Sequence, residues 1–173
     1  MDYEKEEVDL VDGNDKKIGT IDRSEISQLK NDGDRYVRTA CAFIINSQGE
    51  YWVPRRTADK RIAPNGLDFA MAEHMGADED YLDAAIRGFK EELNLELSPK
   101  ELRLLGIIGP VPDLPYFQAI YLYKSDVAPS YNPADFTDSF WSKPSDVIQR
   151  LENGEVAKSA LLPAMKFAML VAT

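Results

Sequence analysis

Residues 87–95 read RGFKEELNL and place one arginine and two adjacent acids within a predicted helix. At about 3.6 residues per turn, positions 88, 91 and 92 lie on one side of that helix. An apolar stripe faces elsewhere and is formed by Leu82, Ile86, Phe89 and Leu93. Carboxylates at all three positions would hold divalent cations, but the first position is Gly88. The pattern therefore predicts a metal site at Glu91 and Glu92 that lacks one ligand.

A longer stretch, from Glu73 to Leu95, resembles the signature of the Nudix hydrolases, G-x5-E-x7-R-E-U-x-E-E-x-G-U, in which U is a bulky apolar residue. Laid on this chain without gaps, the signature matches at Glu79, Arg87, Phe89, Glu91, Glu92 and Leu95. It departs at Glu73 and Asn94, which replace two glycines, and at Gly88, which replaces the first acid of the R-E pair. The resemblance implies a Nudix fold and metal-dependent chemistry on a diphosphate.

The three departures differ in weight. Asn94 is mild, because asparagine also tolerates the left-handed conformation that ends a helix. Glu73 is more serious, since its side chain either crowds the metal site or supplies a carboxylate of its own. Gly88 costs roughly 0.5–1 kcal/mol relative to alanine within a helix, so it indicates either a packing requirement or a lost ligand. On the second interpretation, a glutamate at position 88 would complete a three-carboxylate site.

The resemblance extends beyond this stretch, to 7–12, 17–19, 51–56 and 64–68, which are similar to Nudix proteins related to isopentenyl diphosphate isomerases. In those isomerases a metal-binding histidine lies at the place of His74, so the resemblance implies a metal-ligand role for His74 beside Glu73. A structural role for His74 is the alternative. The catalytic cysteine of the isomerases would fall at Ala72, which argues against isomerase chemistry.

The order of predicted elements gives an α+β fold, a mixed β-sheet sandwiched between α-helices, in one domain over residues 1–173. A hairpin at about 7–21 opens the chain, and Asp22 begins a short helix. Strands are predicted at 36–46, 51–55, 102–108 and 116–124. Helices are predicted from the cap residue Asp80 to about Leu93, from Pro144 to about Asn153, and over 161–171.

The composition fits one soluble domain of 173 residues with a formal charge of −10. That charge argues against nucleic acid or an anionic membrane as a partner, and leaves a small-molecule diphosphate as the predicted substrate. One cysteine, Cys41, predicts no internal disulfide and is interpreted as a small core residue. The acidic segment 1–7 does not resemble a signal peptide, so a cytoplasmic location is expected. Oligomeric state stays open, with a homodimer as one option.

Roles follow from charge. Mg2+ (or Mn2+) held by Glu91 and Glu92 would neutralise the charge that develops on phosphoryl oxygens. Arg87 lies one turn before Glu91 and is predicted to orient a carboxylate, while Glu79 positions either Arg87 or a metal-bound water. The densest basic patch, predicted to bind phosphate, comprises Arg55, Arg56, Lys60 and Arg61. Four aromatic residues favour core packing over base stacking: Tyr116, Phe117, Tyr121 and Tyr123.

Two functions from different classes remain at this point. One is a Nudix-type hydrolase of a nucleoside diphosphate or related compound, weakened by the ligand missing at Gly88. The other is a Nudix module that binds a nucleotide or a protein partner without cleaving it. An isomerase-like activity is a third and weaker reading.

Overall fold

The structure is a computed structural model that describes residues 6–31, 33–111 and 113–172. Residues 1–5, which carry most of the acidic segment that argues against a signal peptide, lie outside the described residues. The strands are β1 (Glu7–Val11), β2 (Lys17–Asp22), β3 (Val37–Ile45), β4 (Tyr51–Arg56), β5 (Met71–His74), β6 (Leu102–Ile108), β7 (Tyr116–Lys124) and β8 (Phe136–Ser142). The α-helices are α1 (Tyr81–Leu93), α2 (Pro144–Glu152) and α3 (Leu161–Val171), and 3-10 helices span Arg23–Asn31 and Pro99–Glu101.

Strand β3 is the centre of the main sheet, whose order is β6-β7-β3-β4-β8. Along one edge β3 pairs in parallel with β7. Its other edge is shared: β4 pairs with β3 only at Ile45 and Tyr51, while β5 pairs antiparallel with residues Thr39 to Ala42. Strand β4 then continues as the partner of β8. Side chains from β4, β5 and β8 can therefore meet beside this divided edge.

Helices cover both faces of the sheet, as the α+β prediction requires. On one face Ala40, Ala42 and Ile44 of β3 pack in a core with Phe89 and Leu93 of α1. The alternate residues of β3 face a second core. That core includes Cys41 and Phe43 of β3, Val147 of α2, and Leu161 and Ala164 of α3. The period-two alternation of a strand thus separates the two cores cleanly.

The hairpin of β1 and β2 forms its own small sheet and supports the loop that enters α1. Val8 and Leu10 pack with Ile26 and Leu29 of the 3-10 helix. The Ala77 N–H donates to the Glu7 carbonyl over 3.0 Å, and the Asp78 N–H donates to Asp9 Oδ1 over 3.1 Å. These bonds fix the backbone just before Glu79.

Helix α1 has the ends that the sequence predicts. The Asp80 side chain accepts from the Asp83 N–H at 2.8 Å, which is an N-cap bond. Asn94 follows the helix with φ 53°, in the left-handed region, and its N–H donates to the Phe89 carbonyl. Tolerance of this conformation explains why asparagine replaces the glycine of the signature. Both Phe89 and Leu93 are fully buried, so the predicted apolar stripe is confirmed.

Some predictions were incomplete. Strand β5 was missed because its four residues, MAEH, carry neither a period nor strong β-formers. Strand β8, FTDSFWS, was missed because threonine, aspartate and serine interrupt its aromatic residues. The short helix after Asp22 is a 3-10 helix, whose first turn is held by a 2.9 Å bond from the Ser24 N–H to Asp22 Oδ1. Within the described ranges, none of the helices has the length and hydropathy needed to cross a bilayer.

The left-handed end of α1 gives a first test. Asn94 is exposed, so substitutions there change backbone preference with little effect on packing. Asn94→Ala should lower the free energy of unfolding by roughly 1 kcal/mol, while Asn94→Gly should keep it within about 0.5 kcal/mol of wild type. Urea denaturation measures both. Equal stability of the alanine variant would mean that the helix ends differently.

Candidate active site

Arg87 is the hub of the predicted cluster. Its Nε and Nη2 donate to the two carboxylate oxygens of Glu79, both over 2.9 Å. Its Nη1 donates to Glu73 Oε2 over 2.7 Å, and Nη2 also donates to the His74 carbonyl over 2.9 Å. Glu91 Oε2 lies 3.5 Å from Nη1, which is a weak contact. One guanidinium therefore ties α1 to β5 and to the intervening loop.

Glu79 is fully committed to this structural role. Besides the bidentate pair with Arg87, its Oε2 accepts from the Gly76 N–H at 2.8 Å. Burial by itself would raise the pKa of Glu79, but the bonds from Arg87 and Gly76 outweigh it, so the pKa lies below its ordinary value. Of the two roles predicted for Glu79, the geometry fits the positioning of Arg87.

A cavity of about 380 Å³ opens beside the divided edge of β3. Five carboxylates and four cationic side chains line it. The acids are Asp68, Glu73, Glu91, Glu92 and Asp135, and the cations are Arg23, Arg56, Lys60 and Lys158. The wall is completed by Ala72, Asn132, Ala134 and Phe136. Both signs of charge thus face one space.

Glu92 has an unusual environment within this cavity. The Glu92 carboxylate forms no hydrogen bond or ion pair with any residue that the structure describes. Burial raises the pKa of Glu92 well above its ordinary value, and the nearby acids Glu73, Asp68 and Asp135 raise it further against the opposing charge of Lys158. Glu92 is therefore a carboxylate that lacks a direct partner and would be stabilised by an added cation.

Lys158 is a further half-buried cation of this cavity, and no sequence pattern pointed to it. Its Nζ lies 3.5 Å from Asp68 Oδ2. Burial opposes its charge, but Asp68 and Glu92 outweigh burial, so the pKa of Lys158 lies above its ordinary value. Asp68 also accepts a short hydrogen bond from Arg56. A lone lysine in the segment that enters an apolar helix carries no motif, so only the fold brings it here.

The predicted basic patch divides into two pairs. Arg56 and Lys60 line the cavity, where Lys60 Nζ pairs with Asp135 Oδ1 at 2.5 Å. Arg55 instead binds Glu155 at 3.0 Å and the Asn65 carbonyl at 2.8 Å, and Arg61 is exposed. Neither Arg55 nor Arg61 is among the cavity-lining side chains. Arg23, which no sequence pattern pointed to, also lines the cavity, and its Nη1 donates to Glu6 Oε2 over 2.8 Å.

Comparison with known proteins identifies the family. The NUDIX domain profile matches residues 35–165. The chain belongs to the Nudix family. It is 41% identical over 163 residues to an uncharacterized Nudix hydrolase of Nostoc sp., covering 94% of this chain and 95% of that one. A crystal structure of a Deinococcus radiodurans protein superposes with a TM-score of 0.80 and 34% identity, covering 93% of this chain and 98% of that one.

The branch suggested by the sequence also appears among the relatives. An isopentenyl-diphosphate delta-isomerase of Photorhabdus laumondii is 28% identical, covering 87% of this chain and 86% of that one. The catalytic cysteine of the isomerases would fall at Ala72, however, and this alanine presents only a methyl group to the cavity beside β3. Cys41, the β3 partner of Ala72, is not among the side chains that line the carboxylate cavity, and burial raises its pKa to about 12.

Of the two interpretations that the sequence left open for Gly88, the geometry supports a packing requirement. A Cβ built at Gly88 would lie 2.5 Å from Met71 Sδ and 2.9 Å from Glu73 Cγ. Position 88 is buried against β5, so a glutamate there cannot project freely beside Glu91 and Glu92. The stem of Glu73 already occupies that space. Where the Nudix signature has glycine on the strand and glutamate on the helix, this chain has the reverse.

His74 lies apart from Glu91 and Glu92 and shares a second cavity with Glu73. On β5, Met71 and Glu73 face α1, whereas Ala72 packs in the opposite core and His74 follows the same alternation. His74 lines this second cavity and contacts the Tyr116 ring edge-on at 5.8 Å. Burial lowers the pKa of His74 to about 3, so the imidazole is neutral at pH 7. The structure does not bring His74 to Glu91 and Glu92.

The Arg87 hub gives a second test. Arg87→Gln would leave Glu73 and Glu79 without their cation, so the free energy of unfolding should fall by roughly 2–4 kcal/mol. The matched control is Lys90→Gln on the same helix, where the pair with Glu96 is exposed and contributes little. Thermal denaturation at pH 7 compares the two variants. Equal losses of stability would show that the bonds from Arg87 to Glu73 and Glu79 do not stabilise the fold.

The same variant has a signed pH dependence. Because the pKa of Glu79 in the folded protein lies below its ordinary value of 4.5, the contribution of Glu79 to stability is present above pH 4.5 and is lost as pH falls further. The difference between wild type and Arg87→Gln should therefore shrink below pH 4.5. If the stability difference between wild type and Arg87→Gln stays constant as pH falls, the loss of stability comes from packing and not from charge.

The reversed glycine and glutamate give a third test. Gly88→Glu alone should lower stability by roughly 1–3 kcal/mol through overpacking against Met71 and Glu73. The double exchange Glu73→Gly/Gly88→Glu should recover part of that loss, which a double-mutant cycle measures. Gly19→Glu is the matched control, because nothing lies within 4 Å of a Cβ built there. If the changes in the free energy of unfolding at positions 73 and 88 are strictly additive, the two side chains do not compete for one space.

Proposed function

We propose that this chain is a Nudix hydrolase that cleaves the diphosphate bond of a nucleoside diphosphate or related compound with Mg2+ (or Mn2+). The observation that supports this most is Glu92, a carboxylate with a raised pKa and no direct partner among the described residues, in a cavity that also holds Arg56, Lys60 and Lys158. Glu92 is half-buried, and burial and the neighbouring acids disfavour its charge, which a divalent cation would offset.

The donor set suits a hard cation. Glu73, Glu91 and Glu92 all line the cavity and offer oxygen ligands, which Mg2+ prefers. Among the described residues, no group of three or more histidine, cysteine, aspartate or glutamate side chains converges closely enough to hold an ion. This fits Mg2+, which is usually held by one or two carboxylates together with water and substrate phosphate. Bound there, the ion would polarise phosphorus and lower the pKa of a water.

The remaining side chains of the cavity have separate tasks in this proposal. Arg87 holds Glu73 in place through a 2.7 Å bond, while Glu91 keeps most of its carboxylate free to accept a proton from water. Arg56, on β4, and Lys60, in the loop after it, line the cavity beside their partners Asp68 and Asp135 and can bind phosphoryl oxygens there. Positioning and charge stabilisation are the main contributions that proteins make to phosphoryl transfer.

The rival is a Nudix module that binds a nucleotide or protein without cleaving it. The position of Gly88 weakens this rival, since Glu73 supplies a carboxylate next to the space in which a side chain at 88 would lie. A cytoplasmic location and a homodimer stay predictions from the sequence. Isomerase chemistry is less favoured because Ala72 offers no thiol to the cavity.

The metal test uses Glu92→Gln. Mg2+ should raise the melting temperature of the wild type by a few degrees at a hundredfold excess over its Kd, since that excess is worth about 2.7 kcal/mol. The variant should show no such rise. Without metal it should melt higher than wild type, because its neutral amide avoids the charge that the raised pKa disfavours. The control Glu96→Gln lies at an exposed pair and should keep the rise.

Hydrolysis is the decisive measurement. Wild type is incubated with nucleoside diphosphates and their derivatives and with Mg2+ or Mn2+, and phosphate release is followed after phosphatase treatment where needed. Turnover should fall by about two orders of magnitude in Glu92→Gln, because a metal supplies several kcal/mol at the transition state. Metal-dependent melting without turnover on any substrate would favour the binding module. An unchanged metal response in Glu92→Gln would place the ion elsewhere.

A further inference from the structure

A second cavity, of about 100 Å³, adjoins the carboxylate cavity. Ala72, Glu73 and Lys158 line both. The second cavity lies on the face of the sheet that packs against α3, and its wall includes Ser159 and Ala160 at the entry to that helix. One molecule could therefore place a diphosphate in the first cavity and a covalently attached group in the second.

The floor of this cavity is a polar row on an otherwise apolar sheet face. Thr39 of β3 pairs with His74 of β5 on one side and with Gln118 of β7 on the other. Cross-strand partners share a face, so the three side chains stand side by side. All three line the cavity. The polar row interrupts the packing of Cys41, Phe43 and their neighbours.

Two atoms of this row have unmet hydrogen-bonding capacity. Gln118 Oε1 and His74 Nε2 are buried and have no hydrogen-bond partner among the described residues. Gln118 is only 2% exposed. An unsatisfied buried polar group costs roughly 1–3 kcal/mol, so two of them in one small cavity call for a partner that enters it.

The walls restrict what that partner is. Ile62, Phe69, Leu114 and Tyr116 present apolar surface. A hydrocarbon group would suit these walls and leave Gln118 Oε1 and His74 Nε2 unmatched, which buried polar sites penalise strongly. A sugar would place hydroxyls against the apolar walls. A flat heterocycle satisfies both, because its faces are apolar while its edge carries N–H donors and ring acceptors.

We propose that this second cavity binds the base of a nucleotide, with Gln118 Oε1 accepting from a base N–H and His74 Nε2 bonding the same edge. The inference rests on the proposed function for the placement of the diphosphate beside it. The uncharged amide of Gln118 matches an uncharged base. A cavity near 150 Å³ is known to accept benzene, so about 100 Å³ with an open mouth admits the leading edge of one ring.

The test is calorimetric binding in EDTA, so that metal and turnover play no part. The probes are uridine, cytidine, adenosine and guanosine 5′-monophosphates, with ribose 5-phosphate as the probe that lacks a base. At least one nucleotide should bind wild type more tightly than ribose 5-phosphate does. Equal affinities for all five probes would overturn the proposal and leave the cavity to ordered water, of which about three molecules fit.

The variant that isolates the site is Gln118→Met, which keeps the side-chain length and removes the unsatisfied amide. It should weaken binding of the preferred nucleotide by about tenfold or more while leaving the ribose 5-phosphate affinity unchanged. Its melting temperature should match or exceed that of wild type, which a structural role of Gln118 would not produce. Gln149→Met on the exposed face of α2 is the matched control and should change neither.

A second variant protects the test against a folding failure. Ile62→Trp adds bulk at the cavity wall, and Ile62 is 53% exposed, so the fold should tolerate it. It should also abolish the preference for the nucleotide. If nucleoside diphosphates are hydrolysed but both variants keep wild-type affinity and KM, the base site is wrong and the proposed function stands. If nucleotides bind through Gln118 without any hydrolysis, the proposed function is wrong and the base site stands.

Discussion

The guanidinium of Arg87 is the interaction on which the rest of the site depends. Three structural units meet at it: helix α1, strand β5 through Glu73 and the His74 carbonyl, and the loop through Glu79. An arginine is needed because a planar fork of donors can serve several acceptors at once, as a lysine cannot. With the backbone of β5 held in this way, Glu73 faces the cavity and Glu91 remains nearly free. The hairpin reinforces the arrangement by fixing the loop just before Glu79.

Close approach of α1 to β5 is the matching constraint. The approach brings the Gly88 backbone so near to Met71 and Glu73 that even a methyl group would crowd them. A helix and a strand at this separation have room for one long side chain between them, and here the strand supplies it. Gly88 and Glu73 are therefore two parts of one arrangement, whereas the sequence alone presents them as two separate defects.

The sequence was sufficient where local chemistry decides the structure. The Asp80 cap, the left-handed Asn94 and the apolar stripe of α1 follow from rules that act within one helix. It was insufficient where distant segments meet. Strand β5 is recognisable only through its pairing with β3, and Lys158 and Asp135 reach the cavity from segments that carry no motif. The choice between packing and ligand loss at position 88 stayed open for the same reason, because helical spacing says which residues share a side and not what packs against it.

Charge in the cavity constrains how a substrate can enter. Five carboxylates face four cations, and each of those cations contacts an acid directly: Arg56 and Lys158 at Asp68, Lys60 at Asp135, and Arg23 at Glu6. A diphosphate arriving alone would meet acids that already compete for the same cations. A divalent ion arriving alone would meet Lys158 beside Glu92. Under the proposed function the two would arrive together, since Glu92 would hold the ion and the cations would hold the phosphates. The acidic net charge of the chain is thus compatible with an anionic substrate, provided that substrate and metal enter as one complex.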